Sequence, residues 1–207
     1  MASVVIVPGN GAGCASANFY PRLRASLQRA GHAVRLQEMP DADAAREAIW
    51  LPFIAGELGA GADTLLVGHS SGAVAGLRLA EGARLGALVL VSVTPSDLGD
   101  ANERASGYYS RPWQWARIRE RVPRIVMFAS TDDPFIPLAL QREAAAGLRG
   151  APAPAGHTFE YVELSGRSHF FSAQQAEITD ACLALCAELA AGGAGGAGSG
   201  SSGSGDS

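Results

Sequence analysis

Short runs of β-branched and aliphatic residues alternate with helix-forming stretches six times along the chain, and no other feature limits the possible folds as tightly. The apolar runs fall at residues 4–7, 33–36, 64–67, 87–91, 125–128 and 158–162. Helical patterning occupies residues 19–29, 42–58, 71–81, 113–120, 137–148 and 173–189. Strands joined through helices lie parallel, because a parallel neighbour is reached only by a crossover, and those crossovers are right-handed. The runs are apolar nearly throughout rather than alternating, which burial on both faces requires. The expected fold is therefore α/β, with a six-stranded parallel sheet and helices on both faces.

Composition sets the boundaries of that fold. Residues 191–207 hold 8 Gly and 5 Ser and nothing to bury, so they read as a flexible tail and leave residues 1–190 as one domain. No apolar run approaches the roughly 20 residues of a membrane span, and no membrane partner is expected. The start MASVVIVPGNG has neither the basic opening nor the long apolar stretch of a secretory signal, so the expected compartment is the cytoplasm.

All 16 basic residues are Arg. A phosphate-loop lysine, a Schiff-base lysine and a Ser-Lys dyad are thereby excluded. With 20 acidic residues, a net charge of −4 and no dense Arg cluster, nucleic acid is not an expected partner. Cys14, Cys182 and Cys186 match no zinc or disulfide spacing, and the last two share a helical face as core residues do. Neither a metal nor a cofactor is expected.

In such a sheet, chemistry collects beyond the carboxyl ends of the strands. The third apolar run leads directly into Gly68-His69-Ser70-Ser71-Gly72 and then a helical pattern. A G-x-S-x-G arises by chance about 0.3 times in a chain this rich in Gly and Ser, so its value lies in the strand-turn-helix context. There it reads as a nucleophile elbow, which holds Ser70 exposed in a strained turn. The plainer alternative is a Gly-rich turn that packs well or cradles an anion at a helix start.

A serine hydroxyl needs a base, and that base needs a carboxylate to orient it; with this elbow the chain order is Ser, acid, His. Beyond the elbow stand His157 and His169. His157 precedes the last strand and belongs at its amino end, so His169, which follows that strand, is the expected base. After the fifth strand Asp132 and Asp133 compete, and the turn of the D-P-x-x-P run favours Asp133, leaving Asp132 to bond the loop or face solvent. The oxyanion donors expected are the backbone N–H of Ser71 and, from the loop after the first strand, Asn10.

Longer runs carry a narrower likeness. The stretches VVIVPGNG (4–11), MPDADAAREAIWLPF (39–53), GHSSGAVA (68–75), SDLGDANERASGYYSRPWQW (96–115) and STDDPFIP (130–137) resemble the small serine hydrolases of the α/β-hydrolase superfamily related to retinoblastoma-binding protein 9. The resemblance implies a compact six-stranded hydrolase domain with Ser70, Asp133 and His169 as its triad. It does not carry over pocket-protein binding: the L-x-C-x-E motif for that interaction is absent, and residues 58–62 read Leu-Gly-Ala-Gly-Ala where it would fall.

The segment 94–121 is too long for a simple turn and is expected to cap Ser70, with Tyr108, Trp113 and Trp115 lining a substrate pocket. The alternative is that the two Trp anchor the segment to the core. The leading expectation is a serine hydrolase acting on small ester, thioester or amide substrates through an acyl-serine intermediate. The runner-up is a non-enzymatic protein-binding module on the same scaffold.

Overall fold

The computed structural model describes residues 1–11 and 14–195, and over them the alternation resolves into one parallel sheet. Its strands are β1 (Ser3–Val7), β2 (Ala33–Arg35), β3 (Thr64–His69), β4 (Ala87–Val91), β5 (Arg124–Ser130) and β6 (Thr158–Leu164), in the spatial order β2-β1-β3-β4-β5-β6. The helices are α1 (Tyr20–Arg29), α2 (Glu47–Pro52), α3 (Ser71–Gly82), α4 (Ala101–Ser106), α5 (Trp115–Arg121), α6 (Leu138–Gly150) and α7 (Ala176–Gly195).

Alternate side chains of each strand enter two separate cores. Val4, Ile6, Leu65, Val67 and Val89 pack with α1 and α7 on one face, while Val5, Val7, Leu66, Leu88 and Leu90 pack with α2, α3, α5 and α6 on the other. Both faces are covered, so β3 and β4 are buried at every position. Each such aliphatic side chain contributes about 1.5–3 kcal/mol on leaving water. The register pairs Val7 with Gly68, His69 with Val91, and Val91 with Phe128. The chain therefore leaves β1, β3, β4 and β5 along one edge of the sheet, with β1 beside β3.

Three stretches differ from the periodic pattern. The helical expectation over 42–58 divides into α2 and a π-helical turn, Phe53–Glu57, after Pro52, which has no N–H for the helical ladder. Segment 94–121 contains an extra short helix, α4, whose first N–H groups are capped by Asp100 and which stops at Gly107 with φ of 93°. Helix α7 continues through Gly195, so residues 191–195 of the expected tail are helical, and residues 196–207 lie outside the described residues. No helix among the described residues is long and apolar enough to cross a membrane.

Candidate active site

At the end of β3 the chain turns through Ser70 at φ 54° and ψ −121° and enters α3 at Ser71. This positive φ is strained for a serine and is held by the surroundings: the Ser70 N–H donates to the Val91 carbonyl at 2.8 Å, and the Ser70 carbonyl accepts from Ala73 at 2.9 Å. The flanking glycines are sterically required. A Cβ on Gly68 would stand 2.6 Å from Ala73 Cα, and one on Gly72 would stand 2.5 Å from the Pro8 carbonyl oxygen.

Asp133 and His169 meet at the carboxyl edge of the sheet. His169 Nδ1 donates to Asp133 Oδ2 at 2.8 Å and lies 3.0 Å from Oδ1. Asp133 Oδ1 also accepts from the N–H groups of Phe135 and Ile136, and Oδ2 from Ser92 Oγ at 2.8 Å. Burial alone would raise the Asp133 pKa, but the His169 hydrogen bond and charge, with the two N–H donors, outweigh it and hold the carboxyl below its ordinary range. An Nδ1 that donates leaves Nε2 as the free lone pair. Asp132 Oδ1 accepts from Ser130 Oγ and from the N–H groups of Arg167 and Ser168, and so ties down the loop that carries His169. His157 sits before β6, where Nδ1 donates to the Arg119 carbonyl.

Ser70 and His169 line one cavity of about 570 Å³, together with Asn10 and Ser71. No hydrogen bond joins Ser70 to His169 among the described residues, and such bonds are often long before substrate binds. Ser71 opens α3, where the first N–H groups of a helix have no partner within it. The Asn10 side chain is already engaged, donating from Nδ2 to Glu103 Oε1 at 2.8 Å, so its backbone N–H is the group it could offer a substrate oxygen. The apolar part of the wall comes from Val74, Leu98, Tyr109, Phe135, Ile136 and Phe171.

A family model described as Serine hydrolase matches residues 4–158, which include Ser70 and Asp133 and end before His169. The chain is 52% identical over 143 residues to the serine hydrolase RBBP9 of Rattus norvegicus, an alignment covering 68% of this chain and 77% of that protein. The chain belongs to the serine hydrolase family. Two solved structures share the fold of this hydrolase. The ydeN gene product of B. subtilis superposes with a TM-score of 0.77 at 21% identity, covering 89% of this chain and 98% of that one. Est1E of Butyrivibrio proteoclasticus, solved with ferulic acid bound, gives 0.69 at 14% identity, covering 92% and 90%.

The aromatic side chains expected to line the pocket of the hydrolase do not face it. Tyr108 is fully buried in the core. Trp113 and Trp115 stack on each other at 5.3 Å, with Trp115 against Gly147 of α6 and Trp113 under the Arg78 guanidinium at 3.7 Å. The cause is Arg78, a buried cation on α3 that sequence reasoning missed. Its Nε donates to the Tyr108 carbonyl, Nη2 to that of Arg111, and Nη1 to Glu81 Oε1 at 2.6 Å. These bonds turn the aromatic segment toward α3 and α6. The cap reaches the cavity instead through Leu98, Glu103 and Tyr109.

Other contacts at the site were legible only in part. Ser92 was not among the expected site residues, and its position directly after β4 was the one signal that could have found it. Phe171 was not among the expected pocket residues either, its one signal being nearness to His169 in the chain; its ring lies 5.3 Å from the imidazole. Nothing in the sequence marked Glu103 as part of the site, since its charged neighbours Asp97, Asp100 and Arg104 read instead as a salt-bridge network holding the segment.

Proposed function

We propose that this hydrolase is of the carboxylesterase or amidase type and cleaves small-molecule esters, thioesters or amides through an acyl-Ser70 intermediate. One observation carries the reading: Asp133 grips Nδ1 of His169 beside the cavity on which Ser70 opens. His169 Nε2 takes the Ser70 hydroxyl proton as Oγ attacks the substrate carbonyl carbon. The negative charge on the carbonyl oxygen is received by the N–H groups of Ser71 and Asn10, each such donor being worth about 10²–10³ in turnover. Asp133 stabilises the imidazolium, which then protonates the leaving oxygen, sulfur or nitrogen. Water deprotonated by His169 attacks the acyl carbon, and the proton returns to Ser70 as the acid product leaves.

A fluorophosphonate probe tests the proposal on purified protein. Wild type should be labelled covalently and Ser70→Ala should not be. An unlabelled wild type, or labelling that survives Ser70→Ala, would refute the acyl-serine route and favour a binding module. A panel of activated esters, thioesters and amides then ranks the acyl and leaving groups.

A further inference from the structure

Tyr20 and His69 are buried side by side in the inner wall of the cavity, and the mechanism above uses neither. His69 immediately precedes Ser70, and its Nε2 lies 2.9 Å from the carbonyl oxygen of His169. A carbonyl only accepts, so Nε2 carries the proton and Nδ1 offers a lone pair. Nδ1 stands 2.5 Å from the Tyr20 hydroxyl, which therefore donates to it. The same hydroxyl oxygen accepts the Gly9 N–H at 3.2 Å and Asn18 Nδ2 at 3.3 Å, contacts that leave its proton for His69. Burial, helped by the neighbouring His169, pushes the His69 pKa down to about 3, so the ring is neutral at ordinary pH.

Each end of this chain of bonds is a loop of the site. Gly9 lies in the loop after β1, so close to the elbow that a Cβ added there would meet Ser70 Cβ at 3.1 Å. The other end is the backbone of His169 itself, between Ser168 and Phe170 at φ 51° and 54°. A backbone bent in this way persists where its surroundings over-determine it. Asp133 holds the His169 ring, and His69 holds its peptide, with the two imidazoles 4.8 Å apart.

We infer that Tyr20 and His69 are positioning residues that act through His169: Tyr20 donates to His69 Nδ1, His69 Nε2 donates to the His169 carbonyl, and the relay sets where the base stands relative to Ser70 and the Gly9 loop. The inference rests on the hydrolase mechanism proposed above. It gives a neutral buried histidine the task of holding the Gly9 loop and the His169 loop in register with the Ser70 turn.

Inactivation kinetics with the fluorophosphonate probe test it in wild type, Tyr20→Phe, His69→Leu, His69→Gln and Ser70→Ala. Misplacing a reacting group by about 1 Å can cost about a hundredfold. Tyr20→Phe should slow the limiting inactivation rate about tenfold and His69→Leu about a hundredfold, with the half-saturating probe concentration unchanged. His69→Gln, which keeps a side-chain N–H for the His169 carbonyl, should recover most of the rate lost in His69→Leu. A merely structural role would lower melting temperature and folded yield while leaving the rate per folded molecule unchanged.

A rate within twofold of wild type in either Tyr20→Phe or His69→Leu, or a Gln variant no faster than Leu, would overturn the relay. Should His69→Leu fail to fold, Tyr20→Phe against wild type decides the matter. A wild type that the probe does not label sinks the hydrolase mechanism and this inference with it. A labelled wild type alongside an unimpaired Tyr20→Phe sinks the relay alone.

Discussion

Glu103 Oε1 accepts a hydrogen bond from Asn10 Nδ2 at 2.8 Å, so the cap helix α4 and the loop beside Ser70 are held together across the cavity. Burial and the nearby Asp100 raise the Glu103 pKa, while the bond from Asn10 opposes that shift. A hydrogen bond to a charged group contributes about 1.5–3 kcal/mol. Glu103→Ala should therefore loosen the Asn10 loop and lower kcat/KM on an activated ester about tenfold. An unchanged kcat/KM would mean that the loop is fixed by other contacts.

Asp132 and Asp133 are neighbours in sequence with separate tasks. Asp133 contacts the His169 ring, whereas Asp132 contacts the backbone of its loop. Asp133→Asn should leave the fold intact and cut kcat by about 10³–10⁴, the scale of losing the orienting carboxylate of a triad. Asp132→Asn should cost about tenfold or less. Equal losses from the two substitutions would contradict this division.

The aromatic residues separate in the same manner. Phe171 is 48% exposed at the cavity wall, while Trp113 donates from Nε1 to the Pro95 carbonyl beneath Arg78. Phe171→Ala should raise KM for an apolar ester several-fold with little change in melting temperature. Trp113→Ala should do the reverse, lowering Tm by roughly 6–20 °C, since removing a packed Trp side chain costs about 3–5 kcal/mol and a chain of this size loses about 2–4 °C per kcal/mol. A Trp113→Ala protein with normal Tm and altered KM would return that ring to the substrate pocket.

Acid sensitivity should trace in part to His69. Its folded pKa is about 3 against an ordinary 6.5, with Tyr20, His169 and Asp133 facing it. Between those values the unfolded chain binds a proton at this ring that the folded chain refuses. Its contribution is therefore complete above pH 6.5 and falls by about 1.4 kcal/mol per pH unit toward pH 3. The depressed Asp133 pKa acts in the same direction as pH falls into the carboxylate range, in wild type and variant alike. Urea unfolding at pH 7.0, 5.5 and 4.5 should show a steeper loss in wild type than in His69→Gln. Parallel pH profiles would show that the buried imidazole plays no such part.

Local chemistry in the chain determined the sheet, its parallel strands and the edge to which Ser70, Asp133 and His169 belong. Apolar runs separated by helical patterns leave few alternatives, and a residue just after a strand must emerge at its carboxyl end. That rule separated His169 from His157, and the D-P-x-x-P turn separated Asp133 from Asp132, without reference to any contact. Tertiary structure alone decided which aromatic rings face the cavity, because Arg78 draws Trp113 and Tyr108 inward through backbone carbonyls that no side-chain pattern encodes. It also decided that Tyr20, His69, Ser92 and Glu103 stand around the site. The bonds from Tyr20 to His69, His69 to His169, Ser92 to Asp133 and Asn10 to Glu103 span 41 to 100 residues, and hydrogen bonds over such separations leave no periodicity in the sequence.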